Sequence, residues 1–239
     1  MKIKWIYLPF LLLVFLNQTV IATETEWTEK KLGKVSLKSV RAADKNRWSR
    51  AIKYGEQALK ASEALDKPTD ARYLHFLKNL NRYYDKTGRL QEVPTRVKKT
   101  YLQSKKYLGI THPTTKMSRT LYYKLHISNR NYMAAIPLVL ENISVLNVGT
   151  DKDYKHHQYL KQLYSLYAMT GQLIKEERTL IEFIKLDKHL YGTTDRENTK
   201  IIQNLANNYC RQKKFKEFTE LVKKHQLQFI CKSHYTQTP

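Results

Sequence analysis

Glycine and proline are scarce in this chain, seven and six among 239 residues. Turns are therefore few, and helices are the expected filler between them. Acidic residues are scarce too: 43 Lys+Arg stand against 21 Asp+Glu, a formal net charge of +22. That imbalance speaks to partners and solubility, not to fold. It points to an acidic protein, an anionic membrane surface or nucleic acid, or simply to a solvated lysine-rich surface. Catalytic signatures are missing as well. The sequence has no His-Glu-x-x-His, no Gly-x-Ser-x-Gly and no glycine-rich phosphate loop. His156-His157 is the only histidine pair. Adjacent helix residues point about 100° apart, so the pair forms no joint metal site. Glu176-Glu177 has no second carboxylate placed opposite it for acid–base work. The expectation is a non-enzymatic protein with no catalytic residues, no cofactor and no metal.

The N-terminus is expected to lie outside the fold. Lys2 and Lys4 precede an uncharged, largely apolar run from Trp5 to Leu16, and Val20-Ile21-Ala22 offers a cleavage point. Residues 1–22 thus read as a signal peptide, which implies export to the periplasm or full secretion. The alternative is an uncleaved membrane anchor, although Asn17-Gln18-Thr19 interrupts the roughly 20 apolar residues that a span requires.

Four later segments share one pattern. Leu80, Leu121, Leu163 and Leu205 recur 41, 42 and 42 residues apart, and Tyr84, Leu125, Tyr167 and Tyr209 follow four residues later in each. Gly88 and Gly171 mark a turn four residues beyond, where Asn129 and Lys213 stand in the other two segments. Leu90, Tyr132, Leu173 and Phe215 then open a second apolar stripe. Helical spacing places each stripe on one face. Each unit is a helical hairpin whose apolar face is covered only by stacking neighbours. Breakers separate the units, at Asp66-Lys67-Pro68-Thr69, Gly109 to Pro113, Gly149-Thr150-Asp151 and Gly192 to Asp195. An earlier hairpin follows from Trp48 and Ala51, each 42 residues before Leu90 and Val93, with Leu37 and Val40 of its first helix expected inward. The predicted architecture is an all-α superhelical solenoid over residues 25–228. Its five antiparallel helix pairs fall near 29–65, 69–107, 113–147, 151–189 and 195–227, followed by a tail over 229–239.

Leu108-Gly109-Ile110-Thr111-His112-Pro113-Thr114-Thr115 closely resembles the Gly-x-x-His-Pro-x-Thr link of tetratricopeptide-repeat proteins of the long, kinesin-light-chain-like kind. That kind has repeats near 42 residues, against about 34 for the ordinary one. Leu163 to Tyr167 and Leu205-Ala206-Asn207-Asn208-Tyr209 are similar to its Leu-Ala-x-x-Tyr helix signature. The resemblance covers residues 45–224. It implies a protein-interaction scaffold in which the first helix of each hairpin lines a concave groove and the second forms the convex back.

With that orientation, the apolar stripes assign groove positions. They are His75, Lys78, Arg82 and Asp85 in the second hairpin; Lys116, Arg119, Tyr123 and His126 in the third; Gln158, Lys161 and Ser165 in the fourth; and Lys200, Gln203, Asn207 and Cys210 in the fifth. Six of these are Lys or Arg and one is acidic. The expected partner is another protein, held through an acidic peptide segment or a free C-terminus. The resemblance implies the same, because some relatives clamp a carboxylate with groove Lys, Arg and Asn; Lys161, Lys200 and Asn207 match that chemistry. Denser cation runs, Arg96 to Lys106 and Lys213 to Lys224, fall on second helices. They support an alternative, binding of polyanions such as anionic lipid head groups through convex lysines. No RNA-binding signature accompanies the 17 tyrosines, so nucleic acid is the less favoured partner.

Cys210 and Cys231 are the only cysteines. Export permits a disulfide. In the register above they stand at opposite ends of the last hairpin, on the order of 20 Å apart, while a disulfide needs Cα atoms within about 7 Å. They are expected to be free or bonded to another protein molecule, unless residues 229–239 fold back.

Overall fold

The computed structural model describes residues 26–146, 152–192 and 195–231. The predicted signal peptide and the links at 149–151 and 193–194 lie outside the described residues. Ten α-helices are described, in five antiparallel pairs: α1 (Glu29–Asp44) with α2 (Trp48–Leu65), α3 (Ala71–Lys86) with α4 (Pro94–Leu108), α5 (Pro113–Ser128) with α6 (Tyr132–Ser144), α7 (Lys152–Met169) with α8 (Leu173–Tyr191), and α9 (Asp195–Arg211) with α10 (Phe215–Lys224). No strand occurs among the described residues. The architecture is the all-α solenoid that the repeat spacing predicts.

Local chemistry sets the helix ends. Thr28 Oγ1 accepts from Lys31 N–H at 3.3 Å and starts α1. His112 Nδ1 accepts from Thr114 N–H at 3.1 Å, and Pro113 occupies the first turn of α5, where its missing N–H costs nothing. The five intra-hairpin turns are the same turn repeated. Asn46, Gly88, Arg130, Gly171 and Lys213 each have positive φ, of 54, 71, 55, 69 and 59° respectively. The residue after each donates its N–H to the carbonyl five positions back: Arg47 to Ala42, Arg89 to Tyr84, Asn131 to His126, Gln172 to Tyr167 and Lys214 to Tyr209, all at 2.8–2.9 Å. This is the six-to-one bond of a Schellman helix stop. In the third hairpin the left-handed residue is Arg130, one later than the Asn129 predicted.

Packing is quasi-one-dimensional. Separate buried clusters join consecutive layers: Leu74, Leu77 and Tyr83 with Ala51 and Ile52; Leu121 and Leu125 with Leu90 and Val97; Leu163 and Leu166 with Ala135 and Val139; Leu160 and Tyr164 with Leu180, Phe183, Ile201 and Leu205. Each layer thus covers its neighbour, as stacked repeats must. Ala51 of α2 and Ala135 of α6, the small residues of these second helices, are both fully buried. In the first hairpin the register differs from expectation. Leu32, Ser39, Ala42 and Ala43 face α2, leaving Leu37 and Val40 exposed.

Two further predictions are corrected. Cys210 and Cys231 form a disulfide, with Cα atoms 5.6 Å apart. The reason is length: α10 stops at Lys224, not near residue 228, so residues 225–231 have room to return along the hairpin. Leu227 and Phe229 pack on Ala206 and Phe218 during that return. Residues 229–231 are therefore part of the packed end of the solenoid and not a tail. Arg119 is the second correction. It is 1% exposed, its Nε donates to Asn142 Oδ1 at 2.6 Å, and its guanidinium pairs with Glu141. Glu141 also accepts from Tyr101 Oη at 2.9 Å and from Lys105. Arg119 is thus a core residue that ties α5 to α6, and it is absent from the groove surface.

Candidate peptide-binding groove

Two neighbouring first helices touch directly, α3 packing on α5 as well as on α4. On α3 the buried stripe Tyr73, Leu77, Leu80, Tyr84 leaves His75, Lys78 and Arg82 facing outward. Lys78 and Arg82 are half-buried. Burial, then Arg82, lowers the pKa of the Lys78 ammonium. Burial, then Lys78, Arg82 and His112, does the same to the His75 imidazolium. These shifts report one positively charged neighbourhood in partial desolvation. Arg82 Nε is buried and donates to no acceptor among the described residues.

On α5 the buried stripe runs through Thr114, Ser118, Leu121 and Leu125. The outward line is consequently Lys116, Thr120 and Lys124. Apolar patterning includes Lys116 but continues to Arg119, Tyr123 and His126 in place of Thr120 and Lys124. Tyr123 flanks the groove, half-buried against the α6–α7 cluster that includes Leu163 and Leu166, and burial raises the pKa of its phenol. The His126 ring lies 4.3 Å from that of Tyr122 on the same helix, and burial, then Lys98 of α4, lowers the pKa of its imidazolium. Lys124, absent from the predicted groove set, pairs with Asp85 at 2.7 Å and so neutralises the one predicted groove acid. A stripe containing Thr114 and Ser118 at helical spacing is the signal that could have found it.

On α7, Gln158 and Lys161 are exposed and Ser165 is half-buried. On α9, Lys200 and Asn207 are exposed and Gln203 is half-buried. Cys210 lies in the disulfide and faces the core. Lys161 and Lys200, from successive first helices, meet at a cleft of about 190 Å³ between α7, α8 and α9. Its walls are Tyr164, Phe183 and Ile201. Its inner end holds His157 and Asp187, bonded Nε2 to Oδ1 at 2.7 Å, with the His157 ring stacked on Phe183 at 4.1 Å. The only acid lining this cleft among the described residues is therefore already engaged. Lys78, Arg82, Lys116, Lys161 and Lys200 make no ion pair with a carboxylate among the described residues.

The convex back differs from its sequence reading in a similar way. Arg96 is half-buried, bonded to Asn81 at 2.9 Å and to Glu56 at 2.9 Å. Lys105 and Lys214 pair with Glu141 and Glu177. Lys98, Lys99 and Lys106 remain exposed.

No family model matches the sequence, and no curated protein matches it. Solved structures do resemble the fold. The putative kinesin light chain of Podosopora anserina with nearly identical tetratricopeptide-like repeats aligns at 15% identity and a TM-score of 0.56, over 87% of this chain and 98% of that one. BtubC (BKLC) from P. vanneervenii aligns at 12% and 0.52, over 88% and 83%. MamA, from residue 41 to its end, of Desulfovibrio magneticus RS-1 aligns at 15% and 0.52, over 84% and 96%. The chain has the tetratricopeptide-type repeat fold.

Proposed function

We propose that this protein is an exported, non-catalytic interaction scaffold whose basic groove holds an acidic segment or the C-terminus of another protein. The observation that carries the reading is the cleft where Lys161 and Lys200 converge over apolar walls. A carboxylate there gains two charge-assisted contacts in a partly desolvated setting, each worth roughly 1.5–3 kcal/mol. Asn207, one turn beyond Gln203 on α9, and Gln203 itself supply neutral donors beside it. Upstream, Lys116 and the Lys78–Arg82 pair continue the positive track, so a bound peptide has acids at several positions along it. The fold supports the reading by analogy, since stacked helical repeats offer extended concave surfaces to partners.

Export rests on the N-terminal charged and apolar pattern, and the Cys210–Cys231 disulfide supports it, because such bonds persist in oxidising compartments. Fractionation of cells expressing the tagged protein tests this part: recovery only in the reducing cytoplasm, with both thiols free, contradicts it. Fluorescence anisotropy tests the groove. A labelled acidic peptide with a free C-terminal carboxylate should bind, and Lys161→Glu with Lys200→Glu should abolish binding while leaving the circular dichroism unchanged. Equal affinity for the double variant removes the reading.

A further inference from the structure

The outer face of α6 is apolar on a basic molecule. The helix contains no Lys or Arg, and its one acid, Glu141, turns inward to Arg119. Its solvent side carries Met133 at 61% exposure, Pro137, and Leu140 at 43%. The apolar strip continues onto the flanking second helices. Ile174 at the start of α8 is 60% exposed, and Leu102 at the centre of the outer face of α4 is 48% exposed. Gln172 Nε2 lies 3.4 Å from Met133 Sδ, so the α6 and α8 ends of the strip adjoin. Cations border it on both sides, Lys98, Lys99 and Lys106 on α4 and Arg178 on α8. Scattered exposed apolar residues are ordinary, but a contiguous strip with a charged rim marks a contact surface.

We infer that the convex back docks on an anionic lipid bilayer, with Met133, Leu140 and Ile174 entering the head-group boundary and the bordering lysines meeting lipid phosphates. The chemistry selects this occupant. An apolar ridge between rows of cations is the arrangement by which peripheral helices lie in a membrane interface, and the lysines suit a negative surface potential. α6 belongs to the middle of the five described hairpins. No helix among the described residues is long and apolar enough to cross a membrane, and the contact inferred is with the surface. The groove cations Lys161 and Lys200 stand on first helices, α7 and α9, and the apolar residues Met133, Leu140 and Ile174 on second helices, so the contact inferred uses different residues from the groove.

The test uses the full-length protein with an environment-sensitive fluorophore at Met133→Cys or, as a control, at Asn207→Cys. The N-terminal apolar segment is common to both. Vesicles of phosphatidylglycerol and phosphatidylcholine should shift the Met133 probe to the blue and leave the Asn207 probe unmoved, and pure phosphatidylcholine should move neither. In co-sedimentation, Met133→Asp with Leu140→Asp should weaken binding to the anionic vesicles by about tenfold or more, with thermal unfolding unchanged. Lys98→Glu, Lys99→Glu and Lys106→Glu together should do the same. A silent Met133 probe on protein that has bound vesicles overturns the inference. So does undiminished binding by the acidic ridge variant, or a Met133 shift elicited by a soluble protein and not by vesicles. Should the ridge variant fail to fold, the probe at Met133→Cys still decides.

Discussion

Replacing Glu141 by alanine removes the common partner of Tyr101, Lys105 and Arg119. Arg119 is 1% exposed, and without Glu141 its guanidinium keeps, among the described residues, only the bond from Nε to Asn142. A buried charge stripped of its counter-ion costs about 3–5 kcal/mol, a large part of the roughly 5–15 kcal/mol that holds a domain folded. Urea unfolding followed by far-ultraviolet circular dichroism measures it. The same reasoning makes the double replacement Arg119→Met with Glu141→Leu milder than Glu141→Ala alone, because no charge remains to be buried. Acid provides an independent check. Burial pushes the Glu141 carboxyl up, but hydrogen bonds from Lys105, Arg119 and Tyr101 outweigh it and hold its pKa below the ordinary value. A carboxylate depressed in the folded state stabilises fully above its unfolded pKa, about 4.3, and ceases to do so as pH falls through the folded one. The gap between wild type and Glu141→Ala should therefore be widest near neutrality and close below about pH 4. A cost under about 1 kcal/mol at pH 7, or a gap that widens in acid, refutes this view of the cluster.

Cys231→Ser opens a disulfide whose cysteines are 21 residues apart and should cost about 3 kcal/mol, readable as a lower melting temperature that reductant reproduces in wild type and does not deepen in the variant. Arg130 holds a left-handed turn at φ 55°, so Arg130→Gly should relieve strain and stabilise by about 0.5–1 kcal/mol in chemical denaturation. Lys116→Glu should weaken an acidic peptide by severalfold or more, whereas Arg119→Lys should change stability and leave affinity per folded molecule unaltered; anisotropy on both variants separates groove from core.

Much of the fold is legible in the sequence because the repeat acts through backbone and burial at once. Leucines 41 or 42 residues apart, each four before a Tyr or Leu and eight before a turn, fix the first helix, its stop and the next start together. The turn is even more regular than its residues suggest: Arg130 and Lys213 adopt the glycine conformation, and composition alone gives no sign of this at Arg130. Rotation of a helix about its own axis is harder to read. On α3, α7 and α9 large apolar residues define the buried side, and Lys78, Lys161 and Lys200 stand off it, the first half-buried and the other two exposed. On α5 the buried side is built from Thr114, Thr115 and Ser118, which carry no apolar signal, so the same rule turns Arg119 outward wrongly and overlooks Lys124. The disulfide escapes prediction because the sequence does not display where α10 ends: Lys224 to Gln228 reads equally well as one more helical turn.

Everything functional here turns on where a partner lies. A photo-crosslinking residue placed at Asn207 in the groove, and separately at Arg178 on the back, can be activated in the compartment where the protein is found. One abundant protein product is expected from Asn207, joined through an acidic or C-terminal peptide by mass spectrometry, and no such product from Arg178. The same protein captured from Arg178 and absent from Asn207 would contradict the assignment of the groove.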